Sequence, residues 1–208
     1  MTSPPAAFEA LRAATLCPFA RRAEVRYSPP WDEANGFHAN VAAHAGALAT
    51  FVAEGERDAL HGFVSEIVIG DGAHDFDRVR RSFNAYLVGL AEYDDDCRLA
   101  MNCDKLAAEW QFSFRGMRMF LNVFAPCYQP PHSKFIPSPN SFWVFFQPEY
   151  SFDLCNIDPS KIATKALIRS AFREAGMPYD GAQIDRRIES LLYMFPMRGT
   201  DGPVRWWD

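Results

Sequence analysis

The sequence has no CxxC pair, no basic stripe and no apolar run of the roughly eighteen residues a membrane helix needs. Each absence removes a class of function. The five cysteines (Cys17, Cys97, Cys103, Cys127, Cys155) are odd in number and widely spaced. That pattern argues for reduced thiols in a cytoplasmic setting and against a disulfide scaffold. Without a long apolar run no membrane partner is expected. The net charge of −5 is spread over interspersed acidic and basic residues, which leaves no footprint for nucleic acid. The first fourteen residues place Glu9 and Arg12 among alanines, with no basic start followed by an apolar core, so no secretory leader is expected. HExxH, EF-hand, Walker and GxSxG patterns are also missing. Their absence sets aside zinc-hydrolase, calcium, nucleotide and serine-hydrolase readings.

What is present is ring-rich apolar mass. Aromatic residues make up 14% of the 208 positions, and 18 of them are Phe. A chain of this length suits one domain over residues 1–208 with a sizeable core. So many rings imply either a bulky core or a pocket walled by side-chain faces.

Residues 6–14 read as a helix after Pro4-Pro5, and Cys17-Pro18-Phe19-Ala20 as a second helix start. Residues 23–28 alternate as a strand, 41–53 are Ala-rich and helical, and 62–69 form a strand closed by Gly70-Asp71-Gly72. Over 75–93, Phe76, Val79, Phe83, Tyr86, Leu87 and Leu90 recur at three- and four-residue steps, a strong helix signal. The acidic break Asp94-Asp95-Asp96 separates it from a short helix expected over 103–108.

The stretch 110–152 organises the fold. Trp110, Phe112 and Phe114 alternate with polar residues, Arg115-Gly116 suits a tight turn, and 117–124 and 142–146 read as strands covered on both faces. Asp158-Pro159 opens a helix that ends at Gly176, and Tyr179 to Gly181 read as a turn. Ile184, Ile188, Leu191 and Leu192 suggest a last helix. Exposing both Trp206 and Trp207 would be costly, so the tail should fold onto the body or a partner subunit, which leaves room for a homodimer. The fold class is α+β: a central, mainly antiparallel sheet packed by helices.

Chemistry concentrates between the two central strands, in Pro126-Cys127-Tyr128-Gln129-Pro130-Pro131-His132-Ser133-Lys134. Three prolines stiffen this loop and hold a thiol, a phenol and an imidazole in fixed positions. The plain alternative stays open: Cys127 as a small packed side chain, and His132 bonded to a backbone carbonyl. Cys17 offers a second thiol at a helix start. Glu149 and Asp153 could meet a cationic substrate. His38 and His44 fall on opposite helix faces, and His61 and His74 lie in expected turns.

In order along the chain, Cys17-Pro18-Phe19-Ala20, Trp110-Gln111-Phe112, Met119-Phe120, Phe124-Ala125-Pro126-Cys127-Tyr128 with His132-Ser133-Lys134, and Phe146-Gln147-Pro148-Glu149-Tyr150-Ser151-Phe152-Asp153 together resemble the YqcI/YcgG family. Phe172-Arg173-Glu174-Ala175-Gly176 and Tyr179-Asp180 continue the resemblance. It implies a haem protein, with haem b as cofactor. Characterised members from D-cycloserine and guanitoxin biosynthesis are similar to haem-dependent N-oxygenases acting on arginine-type guanidino compounds. The resemblance therefore implies a monooxygenase of specialised metabolism that N-hydroxylates a small amine or guanidine and draws on an electron donor. On that reading His132 is the expected iron ligand, with Cys17 and Cys127 as thiolate alternatives. Arg21 or Lys134 would hold a haem propionate, and Asp153 or Glu149 a guanidinium through a bidentate pair. Two other readings stand beside it: a haem sensor or carrier without turnover, and a cofactor-free structural module.

Overall fold

The sheet is built around one strand, β5 (Ser141–Pro148), which pairs antiparallel with β2 (Gly62–Val68) on one side and β4 (Met117–Phe124) on the other. β3 (Phe112–Phe114) extends the β4 edge, and the short β1 (Val25–Tyr27) lies parallel to β2, giving the order β1-β2-β5-β4-β3. A computed structural model describes residues 5–155, 162–177 and 184–208. The parallel β1–β2 pair is joined through α3 (Phe37–Glu54), the crossover that parallel pairing demands. The turn between β3 and β4 has only Arg115 and Gly116, both at positive φ (48° and 74°), so the hairpin is of the twist-matched two-residue kind.

Because strand side chains alternate, the sheet presents two faces, and both are apolar. Phe63, Ile67, Met119, Leu121, Val123, Phe142, Val144 and Phe146 point into the main core with α3, α4 (Phe76–Ala91) and α5 (Asp95–Asn102). Val64, Phe124, Trp143 and Phe145 face the other way, against Phe8 of α1 (Ala6–Ala14). α2 (Pro18–Arg22), α6 (Tyr150–Leu154) and α7 (Ile162–Glu174) complete the helices among the described residues. The mixed, mostly antiparallel sheet with helices is the α+β arrangement expected from the sequence.

Two expected helices fall elsewhere. The Asp94 carboxylate accepts from the amides of Cys97 at 2.8 Å and Arg115 at 2.9 Å, so it caps α5 inside the acidic break. Residues 103–108 are turns instead. Residues 184–192 form only a short 3-10 turn, Glu189–Leu192. Their apolar spacing reflects burial of Ile184 and Leu191 in the main core by an irregular segment, which is tied to β4 through Val123 N–H donating to Tyr193 O at 3.1 Å. The Asp158-Pro159 helix start and the Tyr179–Gly181 turn lie outside the described residues, while Gly176 ends α7 at φ 68°.

His44 is fully buried, its Nε2 bonded to Pro29 O at 3.0 Å and its Nδ1 to the Tyr86 hydroxyl at 3.1 Å. Burial lowers its pKa to about 4, so it serves as a neutral bridge in the core.

The tail does fold back onto the body. Trp206 is 0% exposed, donates its indole N–H to Ser190 O at 2.8 Å and packs on Phe83 with ring centroids 5.0 Å apart. Trp206→Ala should therefore cost about 3–5 kcal/mol, read as a lower urea midpoint. A midpoint unchanged from wild type would show that the tail is not part of the core.

Candidate functional site

The second face of the sheet does not close completely. Between it and α1, α2 and α7 lies a cavity of about 420 Å³. Period-two alternation places Phe120, Asn122 and Phe124 of β4 and Phe145 and Gln147 of β5 on its floor. Phe8, Leu11, Arg12 and Thr15 reach it from α1 and the residue after it, at the one-turn spacing of a single helix face. Phe19, Phe152 and Phe172 raise the phenylalanine count of the wall to seven. Gly62 permits part of this: a Cβ there would stand 2.1 Å from the Phe145 ring.

The polar lining is one-sided in charge. Arg12, Lys134 and Arg169 line the cavity, and no carboxylate does among the described residues. Arg12 is held from behind by Glu9 at 3.2 Å and donates to Ala23 O. Lys134 is only 6% exposed. Its ammonium donates to Asn122 Oδ1 and stands between the Phe124 and Phe195 rings, 4.9 Å and 4.7 Å from their centroids. Burial brings its pKa down to about 7.

The cavity takes in some sequence-nominated residues and leaves out others. Cys17 lines it, as does Lys134. Cys127 and His132 do not. Cys127 and Tyr128 belong to the main core, where burial pushes the Cys127 thiol up to about 12. The His132 ring stacks on Tyr128 at 4.4 Å. Its Nδ1 accepts from the Lys134 amide at 3.0 Å, and its Nε2 donates to Pro196 O at 3.2 Å. Both nitrogens are thus engaged inside the protein, and burial lowers the pKa to about 4. The stiff loop turns its rings toward the C-terminal segment, and only Ser133 and Lys134 reach the cavity. Arg21 is exposed, with its Nε donating to Thr15 O at 2.6 Å, and it lies off the cavity wall. Asp153 is exposed and also off the wall.

Glu149 lines a separate polar cleft of about 290 Å³, together with Glu109, Arg118, Arg186, Arg187 and Glu189. Glu189 accepts from Gln111 Nε2 and from the Tyr193 hydroxyl, both at 2.7 Å, while burial raises its pKa. Phe120 is common to the walls of cleft and cavity.

Arg12 and His61 are among the wall residues that sequence reasoning missed. Arg12 could have been found, because Phe8, Leu11 and Thr15 share its helical stripe. His61, expected in a solvated turn, lines the cavity with Nδ1 accepting from the Glu24 amide at 3.1 Å. That bond puts the ring proton of the neutral imidazole on Nε2 and makes it a donor. Only the fold brings His61 there.

The chain belongs to the YqcI/YcgG family. The family model matches residues 16–190, which takes in Cys17, both central strands and the 126–134 loop. No curated protein and no solved structure matches the chain. Residues from α1 and from the tail beyond 190 fall outside the match, yet they supply Arg12 to the cavity and Trp206 to the core. No helix among the described residues is long and apolar enough to cross a membrane.

Lys134 makes a testable contribution to stability. Its folded pKa of about 7 lies below its ordinary 10.5, so between these values the unfolded chain binds the extra proton. This group's contribution therefore rises as pH goes from about 7 toward 10.5 and is most adverse below 7. Lys134→Met should be more stable than wild type at neutral pH by about 1–4 kcal/mol, with the gap narrowing by pH 10. Urea unfolding of both proteins across that range checks it; parallel profiles would contradict it.

Proposed function

We propose that the protein binds haem b in the ring-walled cavity and N-hydroxylates a small amine or guanidine, acting in the cytoplasm with an external electron donor. The observation that carries this reading is the cavity's chemistry: seven phenylalanine rings, three cations and no described carboxylate. Such a wall suits a flat apolar group bearing acidic arms. The residues present therefore fit haem, and the family membership agrees with that fit. In this reading Arg12 and Lys134 would hold the acidic arms, and the phenylalanines would exclude water from the apolar body. Cys17 supplies the thiol that lies on the cavity wall. Bound there, haem would supply dioxygen activation, and a thiolate ligand favours O–O cleavage. A cationic substrate would be received by Glu149 and Glu189 in the adjoining cleft, with Phe120 as the shared wall.

One observation favours a second reading. No described carboxylate reaches the cavity itself, so nothing described there would pair a guanidinium close to the iron. A haem-binding protein without turnover fits that feature. Incubation with arginine or lysine, oxygen and a reductant separates the two: hydroxylated product supports the oxygenase, and its absence from a haem-loaded sample supports the carrier.

The purified protein mixed with one equivalent of haem should show a Soret band. Cys17→Ser should shift that band and weaken haem affinity about tenfold or more, roughly 1.4 kcal/mol. His132→Ala should leave the band in place. A wild-type sample with no Soret band would sink the haem reading, and a band lost only in His132→Ala would move the ligand to that residue.

A further inference from the structure

Among the described residues, the buried amine of Lys134 has no anionic partner. Its Nζ touches an amide oxygen and two ring faces, and no described Asp or Glu lines the cavity. A buried ammonium is costly unless paired, and an amide oxygen with two rings compensates only part of that cost. The other titratable groups on the described wall are Arg12, Arg169, His61, Cys17 and Cys155, and Glu9, the described acid behind Arg12, is engaged by Arg12 and the Tyr27 hydroxyl. His132 touches Lys134 through the Lys134 amide.

We infer that the cavity is a carboxylate site that takes in its anion together with a proton. Lys134 meets the carboxylate at the Asn122 end, while the ligand's apolar body lies against the phenylalanine wall. The empty site keeps the amine largely neutral above about pH 7, because burial disfavours its charge. Arrival of a carboxylate restores the ammonium, so one proton accompanies each anion bound above that pH. The inference rests on reading the cavity as the ligand site and not on the ligand being haem. The same carboxylate could belong to a porphyrin propionate or to a free aryl or alkyl acid.

Calorimetric titration of the full chain with 2-naphthoate and with the neutral 2-naphthamide tests this. In two buffers of different ionisation enthalpy, naphthoate should show proton uptake that is near zero at about pH 6 and approaches one by about pH 8.5. Its affinity should fall about tenfold per pH unit over the upper part of that range, and naphthamide should show neither effect. Lys134→Met should bind naphthoate at least about tenfold more weakly and keep its naphthamide affinity. Naphthoate binding with no proton uptake in wild type, or undiminished in Lys134→Met, overturns the inference. So does failure of naphthoate to bind at any pH. The wild-type comparison stands even if the variant does not fold.

Haem and its dimethyl ester identify the source. Weaker uptake of the ester than of haem, with the difference lost in Lys134→Met, assigns the anion to a propionate. Equal uptake of both, with naphthoate still dependent on Lys134, supports a free acid. No Soret band with either porphyrin, while naphthoate still depends on Lys134, fails the haem reading and leaves the carboxylate site standing.

Discussion

β5 pairs with β2 and β4, and both faces of that central trio are apolar. A sheet apolar on both faces must be covered on both, and this requirement shapes everything around it. On one side α3, α4, α5 and the C-terminal segment make a closed core, with Trp206 and Tyr193 filling the space beside Phe112 and Phe114. On the other side the cover is thinner. α1 and the short α2 meet the sheet over Phe8, and α7 brings Phe172, but these elements span the face without filling it. The cavity is what remains, and three of its seven phenylalanines, Phe120, Phe124 and Phe145, are the outward residues of the same alternating strands that build the core.

Charge decides what such a space can hold. An apolar hollow without polar groups would accept many neutral ligands. This one carries Arg12 at the α1 wall and Lys134 at its floor, and no described carboxylate lines it. Lys134 is the more informative of the two, because Arg12 is already met by Glu9 whereas Lys134 meets, among the described residues, Asn122 and two rings. A buried cation kept without a partner is destabilising, and on that ground a carboxylate ligand is proposed for it. The adjoining cleft sets Glu109, Glu149 and Glu189 among three arginines, and Phe120 is common to both walls.

Much of this was legible from residue pattern. The bounds of α1 and β4, the Arg115-Gly116 hairpin, the buried tail and the α+β class follow from periodicity and turn chemistry. α5 was displaced because the acidic triplet looked like a break, whereas Asp94 is a cap whose second bond, to the Arg115 amide, depends on the tertiary fold. Three prolines imply a stiff 126–134 loop, but proline content fixes rigidity and not direction. Its imidazole bonds a backbone carbonyl, the plain alternative the sequence had left open. Cys17 and Lys134 lie far apart in the sequence, and the fold brings both to one cavity. His61 gave no signal, since its place depends on where β2 begins beside Phe145.

The central claim is that the second-face cavity is the cofactor site. Its most direct test is an anomalous difference map, at the iron absorption edge, from crystals grown with haem. The account predicts a single iron peak inside the cavity, on the Cys17 side of the phenylalanine wall. A peak beside His132, a peak outside the cavity, or none from haem-loaded protein would contradict it.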